Sequence, residues 1–221
     1  MDIDAKRQEL NELRRRVQQL EAELAKAEDE SSREWPPKDF YASYYAMAGG
    51  VMGSVAAIVS LLANIIGATA VGKSPLELIR VYLTFPLGAR ALEFDSQNGS
   101  VALAMGACLY IGTGMLIGIP IYLAMSYLCG KDSALPKRLA VGAVLGLATW
   151  AVAFYGILSW LQPMLFGGNW VTDSAILPVW VAAGTHVLFG LTLAVLYPWG
   201  QFTAYKSKMR PQATARESVP E

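Results

Sequence analysis

Two patterns of apolar residues meet near residue 41. In the first 27 residues they recur at intervals of seven, three, four, three, four and three, through Ile3, Leu10, Leu13, Val17, Leu20, Leu24 and Ala27. That spacing predicts one apolar stripe on a helix, a heptad with Ile3, Leu10, Val17 and Leu24 at a and Lys6, Leu13, Leu20 and Ala27 at d. Beyond residue 41 the period disappears. Residues 42–72, 101–130, 139–172 and 174–205 hold no Asp, Glu, Lys or Arg, and about 20 helical residues suffice to cross roughly 30 Å of hydrocarbon.

Runs of this kind satisfy their backbone as helices, whereas barrel strands would alternate over about ten residues. The expected fold is all-α: a polytopic membrane protein with a four-transmembrane-helix bundle and an N-terminal cytoplasmic coiled-coil helix. Residues 1–34 are the head, 35–43 a Pro/aromatic connector and 44–205 the membrane domain; 206–221 form a cytoplasmic tail expected to be disordered. Pro163, Gly167, Gly168 and Pro178 divide the last two runs, giving spans at about 44–70, 101–128, 139–162 and 178–200.

Composition sharpens this division. The chain is 221 residues long, 54% hydrophobic and only 16% charged, where a soluble domain carries charge on about a quarter of its residues. Of its 36 formal charges, 19 precede residue 42, so the zero net charge sums two segments that meet different solvents. Fifteen of the 18 Lys and Arg lie in the head, the 131–138 loop and the tail from Lys206, which four spans place on one side. The positive-inside rule makes that side the cytoplasm, in a bacterial inner membrane with both termini cytoplasmic. Tyr44 and Tyr45 at the first span, and Tyr197 and Trp199 at the last, suit headgroup depths. The first 40 residues are charged and hold no apolar h-region, so the first span is expected to direct insertion.

In a parallel homodimer through residues 3–27, Glu9 would face Arg14 and Arg16 would face Glu21, while Glu23 would repel Glu28. Each exposed pair is worth about 0.2–1 kcal/mol, enough to bias pairing but not to drive it. The alternative is a single amphipathic helix lying on another subunit. Trp35-Pro36-Pro37 should end the helix, since a residue before proline avoids the α region.

Within the body, Gly49 with Gly53, Gly114 with Gly118, and Gly142 with Gly146 each set two glycines four apart on one helix face. Backbones approach closely at such seams, between these helices or against foreign ones. His186, in Gly184-Thr185-His186, is the one imidazole of the chain. It is either a neutral residue bonded to a neighbouring helix, with Asn64 or a threonine as partner, or a haem or quinone contact. A bis-His haem needs a second ligand from elsewhere. In the loop after the first span, Ser74-Pro75-Leu76-Glu77 reads as a capping box that starts an interfacial helix over about 75–84. Cys108 and Cys129 lie about 20 residues apart on one helix and cannot meet within the chain.

No catalytic constellation is visible: no nucleophile beside a histidine, no enclosed carboxylate pair, no phosphate loop, no metal cluster. Phe154-Tyr155-Gly156-Ile157-Leu158-Ser159-Trp160-Leu161-Gln162-Pro163, Phe166-Gly167-Gly168-Asn169-Trp170 and the Thr185-His186 centre resemble uncharacterised four-span bacterial proteins associated with haem-copper oxidases and related respiratory complexes. The resemblance implies an accessory subunit and assigns no catalytic residue.

The expectation is therefore a non-catalytic accessory or assembly subunit of a bacterial membrane complex, docking by glycine-rich faces and far-side loops. Its partners would be membrane lipids, larger subunits and a second copy through the head, with no nucleic acid and no cofactor. The alternatives are a small redox protein holding haem or quinone at His186, or a small-solute channel.

Overall fold

The computed structural model describes residues 3–33, 41–70, 72–94 and 99–203, which contain helices and no strand. The expected connector and tail lie largely outside the described residues, as do the side chains of Ile3 and Ala27. The head is one helix, α1 (Ile3–Arg33). The body follows as α2 (Ala42–Ala70), α3 (Glu77–Leu87), α4 (Ser100–Leu128), α5 (Leu135–Ala151), α6 (Ser159–Phe166) and α7 (Val179–Leu196). A 3-10 turn, Gly88–Glu93, extends α3; a π-helical segment, Val152–Leu158, joins α5 to α6; a second 3-10 turn, Tyr197–Gly200, ends α7. Four helical stretches, Ala42–Ala70, Ser100–Leu128, Leu135–Phe166 and Val179–Gly200, are long and apolar enough to cross a membrane, as fits a multi-pass membrane protein. Their outer faces carry Val51, Ile58, Leu62, Met105, Leu116 and Trp180, all exposed.

Two close helix pairs make the bundle, α2 with α4 and α5 with α7, and they join along α2 and α7. Glycine closes both pairs. A Cβ on Gly49 would lie 2.8 Å from the Tyr122 Cβ, and one on Gly53 would lie 2.8 Å from the Cα of Gly118. In the second pair a Cβ on Gly142 would stand 3.0 Å from the Cβ of Ala194 and overlap the carbonyl of Gly190, while one on Gly146 would overlap the carbonyl of His186. All six glycines are buried. The expected docking of foreign helices on these faces is thus corrected: the chain's own helices occupy them, because only a missing side chain lets these backbones meet.

At the end of the bundle where α2 begins and α7 ends, Tyr122, Tyr197 and Met125 are fully buried. The Tyr122 hydroxyl donates to the Tyr197 carbonyl at 2.8 Å, and the Tyr197 hydroxyl donates to the Cys129 carbonyl at 2.7 Å. This ties α4 to the exit of α7.

The other end is closed by α3. Its expected capping box does not form: the helix starts at Glu77, Leu76 stands at the N-cap without a side-chain bond, and the Glu77 N–H donates to the Ser74 carbonyl at 3.0 Å. The Glu77 carboxylate pairs instead with the Arg80 guanidinium one turn along, a charged partner that outcompetes a backbone N–H. The inner face of α3 packs on the bundle. Ile79, Val81, Leu83 and Thr84 are buried, and Gly106 of α4 gives them room, since a Cβ there would lie 2.7 Å from Leu83 and 2.8 Å from Ile79.

Candidate functional site

The third crossing runs from Leu135 to Phe166, past the expected 139–162 at both ends: α5 begins a turn earlier with Pro136 in its first turn, α6 continues through Pro163 to its cap at Gly167, and the π-helical segment Val152–Leu158 lies between them. A π turn widens the helix and leaves carbonyls poorly served. Two side chains cover them: Ser159 Oγ donates to the Tyr155 carbonyl at 2.9 Å and the Trp160 indole N–H to the Gly156 carbonyl at 2.7 Å. The segment forms one wall of a cavity of about 520 Å³, together with parts of α2, α3, α4 and α7. That volume lies within the range of small-molecule sites. The walls diverge because α2 and α7 join the two helix pairs while α4 and the π segment stand on either side of the gap.

Six polar side chains face this otherwise apolar space: Ser60, Tyr82, Tyr110, Thr113, Thr185 and His186. None carries a formal charge. The Gly146 seam fixes α7 at the turn of His186, so the glycine that joins α5 to α7 also sets the depth of the imidazole. Phe154 of the π segment packs edge-on against that ring at 5.8 Å between centroids. His186 Nδ1 lies 2.9 Å from the Ala182 carbonyl, which can only accept, so Nδ1 carries the proton and the neutral ring keeps Nε2 as an acceptor. The sequence reading that paired His186 with Asn64 or a threonine is corrected: the imidazole bonds to its own helix, whereas Asn64 Nδ2 donates to Thr185 Oγ1 at 3.0 Å and to the Ser60 carbonyl at 2.7 Å.

That Asn64–Thr185 contact stands beside a second cavity of about 300 Å³, which reaches toward Lys73 and Glu77. Leu78, Val81, Leu177 and Thr185 border both spaces.

Tyr110, Ser60, Tyr82 and Phe154 become site residues only in three dimensions. Tyr110 and Ser60 share a hydrogen bond of 3.1 Å across 50 residues, and Tyr82 reaches Thr113 from another helix. Gly190, whose Cβ would overlap the Gly142 carbonyl, was also unmarked; its signal was Ala194 four residues on, a small-xxx-small pair. Gln162, fully buried, holds the loop before α7 in place: its Oε1 accepts from the Val171 N–H at 2.9 Å and its Nε2 donates to Thr84 of α3 at 3.3 Å.

The lining residues test the expected haem alternative. One imidazole is present, with no Met, Cys or second His among them to complete axial ligation and no Arg or Lys for propionates, so these side chains do not fit haem. Among the described residues no three His, Cys, Asp or Glu gather as a metal site. Compared with known proteins, the chain matches no protein-family model, no curated protein and no solved structure.

Proposed function

We propose that this is a non-catalytic membrane protein that holds a small lipid-soluble molecule in the cavity beside His186. One observation carries the reading: an apolar space of about 520 Å³ between crossing helices, with an imidazole and two tyrosine hydroxyls on its wall. The space opens at the side of the bundle, where Leu109 and Ile157 of its wall are exposed, so a molecule can enter it from the lipid. The reading keeps, of the alternatives for His186, a lipid-soluble ligand and sets haem aside. The positive-inside rule supports placing the α2 start and the α7 exit at the cytoplasmic face of a bacterial inner membrane.

The test is to purify the protein from its native membrane in mild detergent, extract it with organic solvent and identify what is released. A stoichiometric apolar molecule, lost from an Ala153→Phe variant that puts a ring into the cavity, supports the proposal. An extract of bulk lipid identical for the two proteins overturns it.

A second reading, an accessory or assembly subunit of a respiratory complex, is favoured by the head. Leu10, Leu13, Val17, Leu20 and Leu24 are each about half exposed or more on α1, an apolar stripe for a second copy or a larger subunit. The mass of the purified particle tests it: co-migration with larger subunits supports it, and a lone monomer rejects it.

A further inference from the structure

The walls of the cavity differ from an ordinary polar site in one respect: their donors are already committed. The Ser60 hydroxyl donates to the Ala57 carbonyl at 3.1 Å. Either hydroxyl can donate in the 3.1 Å contact between Ser60 and Tyr110, and the direction that gives both protons an acceptor runs from Tyr110 to Ser60. Tyr82 and Thr113 share a hydrogen bond that either can donate, and the Leu109 carbonyl takes the remaining proton, from Thr113 at 3.0 Å or from Tyr82 at 3.5 Å. Thr185 donates to the Val181 carbonyl at 2.8 Å, and His186 Nδ1 to the Ala182 carbonyl at 2.9 Å. In the arrangement that gives every hydroxyl proton and the neutral imidazole's one proton an acceptor within the chain, none is left for a guest.

Lone pairs are left instead. His186 Nε2 has no hydrogen-bond partner among the described residues, and the oxygens of Tyr82 and Tyr110 each keep acceptor capacity. Pro86, on the same wall, has no N–H and deprives the Tyr82 carbonyl of its usual helical donor. A polar group in an apolar setting is costly unless hydrogen-bonded, so these acceptors select a guest that donates.

The geometry points to a hydroxyl-bearing lipid-soluble molecule, its O–H donated to His186 Nε2 and its apolar body against Phe154, Ile157 and Phe189. Quinols and isoprenoid alcohols share that chemistry. A quinone, which only accepts, does not. This inference rests on the proposed ligand site and adds the hydrogen-bond polarity of the ligand.

The test uses the full-length protein in detergent, without oxygen, and follows the rise of its unfolding midpoint with ligand. The probes are trimethylhydroquinone, its quinone and its dimethyl ether, with farnesol and farnesyl methyl ether as the isoprenoid arm. The expected result is binding of one hydroxylated probe at least about tenfold tighter than its methyl ether, the value of one hydrogen bond in an apolar site. Which arm responds distinguishes the quinol from the alcohol.

In His186→Phe, which keeps an aromatic ring, the discrimination should vanish. His186→Leu, which also removes the acceptor, provides the same reading if the first variant does not run as a single species. Equal binding of hydroxylated and methylated probes, or preference for the quinone, overturns the donor requirement and leaves the ligand site standing. Binding of no probe overturns both.

Discussion

Gly53 on α2 and Gly118 on α4 meet with no side chain between them: a Cβ on Gly118 would lie 2.6 Å from the Cα of Gly53. No rotamer relieves such an overlap, because the obstacle is backbone. Gly118→Ala is expected to lower stability by about 1–3 kcal/mol, the usual cost of overpacking. Gly67→Ala and Gly112→Ala provide the contrast, since nothing lies within 4 Å of a Cβ at either position. There the better helix propensity of alanine should raise stability by about 0.5–1 kcal/mol. Thermal unfolding of the three variants in one detergent checks the pattern, and a loss in all three alike would reject the seam as its cause.

The tyrosine clasp makes a different demand. Tyr122→Phe leaves the buried Tyr197 carbonyl without the 2.8 Å bond that served it, an unsatisfied acceptor costing about 1–3 kcal/mol. Gln201 Nε2, 3.2 Å from the same carbonyl, recovers part of this, so the loss should fall at the low end. Tyr197→Phe removes the 2.7 Å bond that reaches the Cys129 carbonyl and should cost more. The ranking, read from unfolding midpoints, is the test.

What could be read in the chain and what could not divide along physical lines. The four crossings were legible because a charge-free run of this length has one solution in hydrocarbon. The glycine pairs were legible as places of close approach, but their partners were not: Gly146 closing on the His186 carbonyl joins residues 40 apart, and no local periodicity encodes that. The cavity was hidden for the same reason. It depends on α4 and the π segment standing apart, and Tyr110, Tyr82 and Phe154 read as ordinary core aromatics until that gap is seen. The capping box misled because Glu77 found Arg80.

Gln162 offers a test of the loop before α7. Its amide meets both the Val171 N–H and Thr84 of α3 while fully buried. Gln162→Leu strands the Val171 N–H and removes the bond to Thr84, whose hydroxyl keeps the Val81 carbonyl, without opening a void, so the cost is that of lost hydrogen bonds, about 1–3 kcal/mol. The effect should be local. Proteolysis within residues 167–177 should accelerate before the bundle unfolds, whereas uniform loss of stability with an unchanged cleavage pattern would show that the amide does not pin the loop.

Cys129 sits just past α4 and is fully buried, and burial pushes its thiol above the usual range. The thiolate is the reacting form. In a Cys108→Ser background, which leaves Cys129 as the sole cysteine, maleimide labelling near pH 8 should be slow for the folded protein and complete after denaturation. The sign follows from the raised value: more alkaline solution is needed to ionise the folded thiol than the unfolded one, so the folded rate should climb at higher pH. Rapid labelling of the folded protein at neutral pH would show that the end of the bundle is open there.

The head supplies the last prediction. Leu13 and Leu20, at the central d positions, stand 58% and 51% exposed on α1. A single amphipathic helix of 31 residues with its apolar stripe in water has little beyond intrinsic propensity to hold it. A parallel partner buries that stripe and brings Glu9 to Arg14 and Arg16 to Glu21. A peptide of residues 1–30 should therefore gain helicity with concentration and sediment as a dimer, and Leu13→Asp should abolish the gain by placing a charge in the seam. High salt should weaken the pairing only slightly, because the exposed ion pairs contribute a small share beside the leucines. Helicity that stays low at every concentration would mean that the stripe meets a surface other than its own copy, and the particle mass of the intact protein would then identify the larger partner.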